Sequence, residues 1–309
     1  MKKVLKLILA LFIIVNIMAM FHAYKFTHFS TSVKQRTDAN NIGFLDKIGM
    51  LFTGVSLPRP ETKIVPKVPF TTIHLKSNVI IDAWQMQTAR KSKGTIILFH
   101  GYGGEKSNML DRAYVLLDMG YDVMLPDFMG ASKSEGNQCT IGYKEAENVK
   151  TCVNYIQQKG IKNIYLLGTS MGAAAVMRAE YLEPLPVKGI ILECPFGTMR
   201  QTVRNRFEMM HMPYFPLGDM LTFWGGVENG FNAFSHNPET YAGKIQAPTL
   251  LLFGEKDDRV KRFEIENIYR NLPCIKTLKT FPLSGHESYL NDYKNEWMET
   301  VEKFLDVCK

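Results

Sequence analysis

Apolar and polar positions alternate in blocks along most of this 309-residue chain. Runs such as Thr95-Ile96-Ile97-Leu98-Phe99, Ile164-Tyr165-Leu166-Leu167 and Pro248-Thr249-Leu250-Leu251-Leu252-Phe253, with shorter ones near Val123, Ile190 and Leu278, read as strands. Most are apolar throughout, which is expected of strands covered on both faces. An earlier stretch, Thr71 to Gln87, reads as a hairpin. Helical spacing fills the gaps: Asn108 to Asp118, Tyr143 to Lys159, Ser170 to Tyr181, Arg262 to Asn271 and Asp292 to Val307. This alternation predicts an α/β fold with a mostly parallel central sheet and helices on both faces. No internal repeat or low-complexity tract is evident.

Two intervals break the pattern. Residues 197–246, between the strand ending Glu193-Cys194-Pro195-Phe196 and the one starting at Pro248, are far longer than a crossover helix requires, a length typical of functional loops. Their content is oily: Met209, Met210, Met212, Tyr214, Phe215, Leu217, Met220, Leu221, Phe223, Trp224, Phe231 and Phe234. Packing of these side chains onto the sheet is the expected role, and an acyl-binding wall is the alternative. Arg200, Arg204 and Arg206 offer cations for an anionic head group, although a solvated helix face is the commoner fate of such charges.

The second interval is the amino terminus. Lys2, Lys3 and Lys6 precede an apolar run from Leu7 to Phe21, the pattern of a long signal-peptide core or a short membrane span. Phe21-His22-Ala23 lacks the small-x-small cleavage pattern, and Tyr24, Lys25 and Phe26 resemble an interfacial belt. An uncleaved anchor over residues 1–26 is expected, with the leading lysines cytoplasmic and the rest extracytoplasmic; secretion after cleavage is the alternative. A connecting segment, 27–66, follows. Its Ile42, Phe44, Leu45, Ile48, Leu51 and Phe52 form one apolar helical face, expected to pack on the main domain, 67–309.

Candidate chemistry centres on Gly168-Thr169-Ser170-Met171-Gly172, where a strand enters and a helix leaves. Such a corner exposes a strained serine, and its glycines stand where a Cβ would collide with backbone. A serine hydroxyl needs a base, an orienting acid and donors for an oxyanion. The loop Gly254-Glu255-Lys256-Asp257 supplies Asp257 as the acid, and Leu283-Ser284-Gly285-His286-Glu287 supplies His286 as the base. The backbone N–H of Met171 and that of Tyr102, in His100-Gly101-Tyr102-Gly103-Gly104, are the expected oxyanion donors. His100 is expected to shape that loop, and His74, His211 and His236 to be structural.

With these motifs the chain resembles the α/β-hydrolase superfamily, in the branch of serine-aminopeptidase-like and monoacylglycerol-lipase-like proteins, some of which carry an amino-terminal anchor. Pro126-Asp127-Phe128-Met129-Gly130-Ala131-Ser132-Lys133-Ser134-Glu135-Gly136 matches that branch's loop. So does Leu252-Phe253-Gly254-Glu255-Lys256-Asp257-Asp258-Arg259-Val260, which favours Asp257 over Asp258 as the acid. The resemblance runs from about Pro66 to the carboxyl end and implies a lid at residues 197–246. It departs at Asn148, where relatives often carry an acidic residue, and at Ser77-Asn78, where an Asp-Gly turn is common.

The resemblance implies a serine hydrolase, and the oily lid and anchor lean toward an ester or related acyl bond of a lipid-like small molecule, with no cofactor or metal. A serine peptidase of the aminopeptidase type is the alternative; Glu193, Glu208 or Glu228 would then meet a free amino terminus. A non-catalytic, membrane-tethered binding protein is the third reading.

Charge changes the picture little. The net charge is +7, but six basic residues and no acidic one lie between Met1 and Thr37, leaving the rest near +1. Nucleic acid is therefore not an expected partner. Five cysteines, Cys139, Cys152, Cys194, Cys274 and Cys308, show no metal spacing. A Cys274–Cys308 disulfide is the one pairing expected, if the domain is extracytoplasmic.

Overall fold

Eight strands form one sheet in the order β1-β2-β4-β3-β5-β6-β7-β8 in a computed structural model that describes residues 1–33, 49 and 52–308. The hairpin is β1 (Thr71–Lys76) and β2 (Ile80–Met86), and β2 pairs antiparallel with β4 (Asp122–Pro126). From β4 onward every pairing is parallel, through β3 (Thr95–Phe99), β5 (Ile164–Thr169), β6 (Gly189–Glu193), β7 (Thr249–Gly254) and β8 (Lys276–Phe281). This is the mostly parallel sheet the apolar runs predict.

Side chains alternate between the sheet's two faces, and helices cover both. Ile97 and Phe99 join one cluster with Val149 and Val153 of α3 (Glu145–Gln158), Val176 of α4 (Met171–Leu182) and Ile265 of α8 (Arg262–Asn271). Ile96 and Leu98 face the other way, toward Leu116 of α2 (Leu110–Asp118) and Trp297 and Val301 of α9 (Leu290–Val307). Each such buried side chain contributes about 1.5–3 kcal/mol relative to exposure.

The long β6–β7 interval folds as α5 (Met199–Met209), α6 (Leu217–Glu228), a 3-10 turn over Ala233–Ser235 and α7 (Pro238–Ala242). Phe231 packs against the core and stacks on Tyr143, but most of the interval's oily residues do not pack on the sheet as expected. None of the twelve is fully buried, and Phe215 is 77% exposed and Phe223 51%. The reason is that α6 turns Gly218, Thr222 and Gly226 inward, which leaves Phe223 and Val227 exposed and Trp224 against α1.

The amino-terminal helix α1 (Lys2–Thr27) is 26 residues long, with a mean hydropathy of 2.6 over its apolar window, enough in length and composition to cross a membrane. Its first half is exposed, whereas Ala19, Ala23 and Thr27 are buried and the helix packs along α6. Beyond it the chain is woven into the domain: Phe29 N–H donates to Asn137 O at 2.8 Å, and Ser30 bridges Pro58. Of the apolar face expected over Ile42 to Phe52, all but Phe52 lies outside the described residues, and Phe52 is exposed. The described part of the connector packs on the domain, with the Thr62 hydroxyl donating to Glu105 at 2.9 Å.

The two departures from the family pattern meet in space. Asn148 is fully buried, its Nδ2 donates to Asn78 Oδ1 at 2.7 Å and to Ser77 Oγ at 3.0 Å, and its Oδ1 accepts the Met129 N–H. A carboxylate at 148 has no proton for Asn78 Oδ1, so the amide and the Ser-Asn turn form one matched set.

The expected Cys274–Cys308 disulfide does not form; all five cysteines are free. Cys308 abuts Gly189 at the start of β6, whereas Cys274 lies by Thr249 at the start of β7, next to β8. Cys274 packs against the cluster on one face of the sheet and Cys308 belongs to the cluster on the other, so the sheet itself stands between the two thiols.

Candidate active site

The corner between β5 and α4 is built around Ser170, whose backbone lies at φ +55° and ψ −112°. A non-glycine residue there is strained, and the surroundings hold it: its N–H donates to Glu193 O at 2.8 Å. A Cβ on Gly168 would come within 2.6 Å of Ala173 N, and one on Gly172 within 2.3 Å of Phe99 O. Both glycines are therefore needed for β5, α4 and β3 to approach this closely.

The structure brings the three sequence-predicted residues together. His286 Nε2 lies 2.9 Å from Ser170 Oγ, and His286 Nδ1 lies 2.6 Å from Asp257 Oδ2. Asp257 follows β7 and is buried; its Oδ1 accepts the N–H groups of Arg259 and Val260 at 2.8 and 2.9 Å. A carboxylate only accepts, so Nδ1 carries a ring proton, and in the neutral ring the Nε2 lone pair faces the serine hydroxyl.

The loop after β3 closes the site from the opposite side. A Cβ on Gly101 would sit 3.6 Å from Ser170 Cβ, so this loop lies directly against the serine. Its far end is pinned by the buried Lys106 ammonium, which bridges Asp82 and Asp127. Tyr102 lies in this loop, and Met171 opens α4, where first-turn N–H groups have no intrahelical acceptor. His100 is buried; its Nδ1–H donates to Gly101 O and its Nε2 accepts the Phe128 N–H, while burial pushes its pKa down. It braces the loop and does not point at the serine.

Of the other histidines, His74 is exposed, and His236 is buried against Ile141 O and the Tyr241 hydroxyl, with its pKa pushed down to about 4 by burial. Arg200 pairs with Asp219 at 2.8 Å and Arg204 lies over the Tyr214 ring, so both are engaged within the β6–β7 interval. Arg206 is half-buried, its pKa lowered by burial and by neighbouring Arg259.

Two features escape sequence reasoning. The first is Cys194, at φ +41° just after β6: its Sγ, an Asp257 oxygen and a His286 ring nitrogen all lie within 4.8 Å of one another. Among the described residues this is the one cluster with soft-metal ligand chemistry, and two of its members already hold each other by a hydrogen bond. The His286 pKa is pushed down by burial and, more strongly in sum, up by the Cys194 thiol and the Asp257 carboxylate, so it lies above the ordinary value. The second is the setting of Glu193, which the sequence offers only as a partner for a substrate amino terminus: it is wholly buried, and its carboxylate takes hydrogen bonds from Arg112, Trp297 and Thr169. Its Oε2 lies 2.6 Å from Arg112 Nη2, which neutralises it inside the fold.

Comparison with known proteins agrees with this architecture. The family model described as Hydrolase_4, serine aminopeptidase S33, matches residues 90–240. The esterase Pf2001 of Pyrococcus furiosus superposes with a TM-score of 0.67 at 22% identity, covering 81% of this chain and 98% of that one. The chain has the α/β-hydrolase fold. Among curated relatives, this chain is 25% identical to the uncharacterised protein YqkD of Bacillus subtilis over 69% of its own length and 71% of the relative's. It is 24% identical to the lysophosphatidylserine lipase ABHD12 of Danio rerio, over 70% of its own length but only 53% of that protein's.

Proposed function

We propose that this hydrolase is a serine esterase acting through Ser170, His286 and Asp257 on an ester of a hydrophobic, lipid-like acyl group. The observation that carries the reading is the continuous pair of contacts from Asp257 Oδ2 through His286 to Ser170 Oγ, at 2.6 and 2.9 Å. His286 Nε2 takes the Ser170 proton as Oγ attacks the acyl carbonyl, and Asp257 holds the ring tautomer and steadies the imidazolium. The N–H groups of Met171 and Tyr102 receive the oxyanion, each donor being worth on the order of 10²–10³ in turnover. His286 then protonates the leaving alkoxide, and water, activated by the same nitrogen, releases the acid.

The outward apolar side chains of the β6–β7 interval, taken as a lid, and the adjoining membrane-length helix support a lipid-like substrate. So does the lysophosphatidylserine lipase activity for which the zebrafish relative is named. The aminopeptidase reading loses its most central acid, because Glu193 is paired with Arg112 and Trp297 and has no capacity left for a substrate ammonium. The packing of α1 along α6 supports an uncleaved anchor over residues 1–26, and Lys2, Lys3 and Lys6 ahead of its apolar run support a hydrolase on the extracytoplasmic side.

Fluorophosphonate labelling of the wild type but not of Ser170→Ala, combined with a chain-length series of p-nitrophenyl esters, tests the proposal. Labelling that survives in Ser170→Ala, or no labelling and no ester turnover in a folded wild type, refutes it.

A further inference from the structure

The helix that looks like a tether makes contacts a tether does not need. Trp224 of α6 donates its Nε1–H to Asn16 Oδ1 at 3.3 Å, and Ala19 and Ala23, each 3% exposed, continue the same face of α1 as it packs along α6. At the carboxyl end of α1 the Tyr102 hydroxyl donates to Phe26 O at 2.6 Å, and the Phe29 ring packs against Tyr102 with centroids 6.0 Å apart. Thr27 O accepts the Cys139 N–H at 2.8 Å, and Cys139 Sγ in turn lies 3.4 Å from Met171 Sδ. The last turn of α1 thus touches Tyr102 directly and Met171 through one residue, and these two flank Ser170.

Depth along α1 says what surrounds α6. At about 1.5 Å per residue, Ala19 and Ala23 lie roughly 20–25 Å beyond Lys6, inside a hydrocarbon core of about 30 Å. α6 contacts α1 at that level, and its outer side chains Phe223 and Val227 are each 51% exposed, with Phe215 just before it at 77%. Apolar side chains at that depth, continuous with the exposed apolar surface of α1, match hydrocarbon and not water.

We propose that α1 and α6 form a bilayer-embedded, two-helix wall of the substrate site, through which an acyl ester reaches Ser170 from the leaflet on the hydrolase side. The idea rests on the esterase reading above and adds the source and route of the substrate. The occupant of the exposed α6 face is the lipid bilayer itself.

The test uses full-length protein in phosphatidylcholine vesicles, with two substrates: water-soluble p-nitrophenyl acetate and 1-oleoylglycerol dissolved in the vesicles. Ala19→Leu and Ala23→Leu insert bulk where α1 meets α6, and are expected to lower 1-oleoylglycerol hydrolysis about tenfold while p-nitrophenyl acetate changes by less than about threefold. Equal losses on both substrates, or none on either, overturn the proposal.

Fluorescence supplies a readout independent of catalysis. Lipids brominated in their acyl chains are expected to quench wild-type emission, and Trp224→Phe to lose that quenchable fraction, because Trp84 and Trp297 are buried at 4% and 0% exposure. Absence of a Trp224-dependent difference places α6 outside the bilayer and overturns the proposal. A wild type that hydrolyses neither ester yet shows the quenching refutes the esterase reading and leaves the bilayer contact standing.

Discussion

Replacing Asp257 by Asn preserves shape and removes a charge, and the surrounding hydrogen bonds dictate how the new amide sits. Oδ1 accepts two backbone N–H groups, from Arg259 and Val260 at 2.8 and 2.9 Å, so the amide oxygen keeps that place. The NH₂ group then occupies the Oδ2 position, 2.6 Å from His286 Nδ1. An amide NH₂ only donates, so Nδ1 becomes the acceptor and the ring proton moves to Nε2. Nε2 now presents a proton to Ser170 Oγ where a lone pair is needed. The expected loss in kcat is about 10⁴-fold, equivalent to ~5.5 kcal/mol of barrier. Initial rates on a short p-nitrophenyl ester measure it, with thermal melting to show an intact fold and the exposed Asp258→Asn as a control that changes rates by less than about threefold. A folded Asp257→Asn protein that retains more than about a tenth of wild-type kcat would refute the tautomer argument.

Other outcomes follow from the same geometry. Gly172→Ala places a methyl against the β3 backbone at Phe99 O and His100 O, neither of which can yield without moving the sheet, so labelling by a fluorophosphonate falls at least about tenfold while the domain still melts cooperatively. Because His286 titrates above the ordinary histidine range and must be neutral to accept the serine proton, kcat/KM keeps rising with pH beyond neutrality; a rising limb centred below the ordinary histidine value would contradict the assigned surroundings. Arg112→Met leaves the Glu193 carboxylate buried without its cation and costs about 3–5 kcal/mol of stability, read as a lowered urea midpoint. Asn148→Asp, which sets a carboxylate against Asn78 Oδ1, destabilises by about 1–3 kcal/mol in the same assay.

Much of the fold is legible in the sequence because buried parallel strands leave uninterrupted apolar runs, as Thr95–Phe99 and Thr249–Gly254 do. Ser170, Asp257 and His286 are legible because each sits at a strand's carboxyl end beside glycines. What escapes notice depends on contacts distant in the chain. Trp224 and Asn16 are 208 positions apart, so nothing local in α1 announces that α6 will lie on it. The outward apolar residues of α6 mislead for a related reason: three small inward positions, Gly218, Thr222 and Gly226, decide which side faces the domain. The Cys274–Cys308 pairing fails because the two side chains lie on opposite faces of the sheet, which a strand-helix count along one unit does not convey.

The hydrogen bond from Trp297 to Glu193 has a consequence for the order in which the molecule is made. Trp297 and His286 are both synthesised long after α1. A nascent chain therefore exposes α1 long before the imidazole reaches the serine or the indole locks the neighbouring strand. The contact between Ser170 and His286 is completed late, after all eight strands of the sheet have been made.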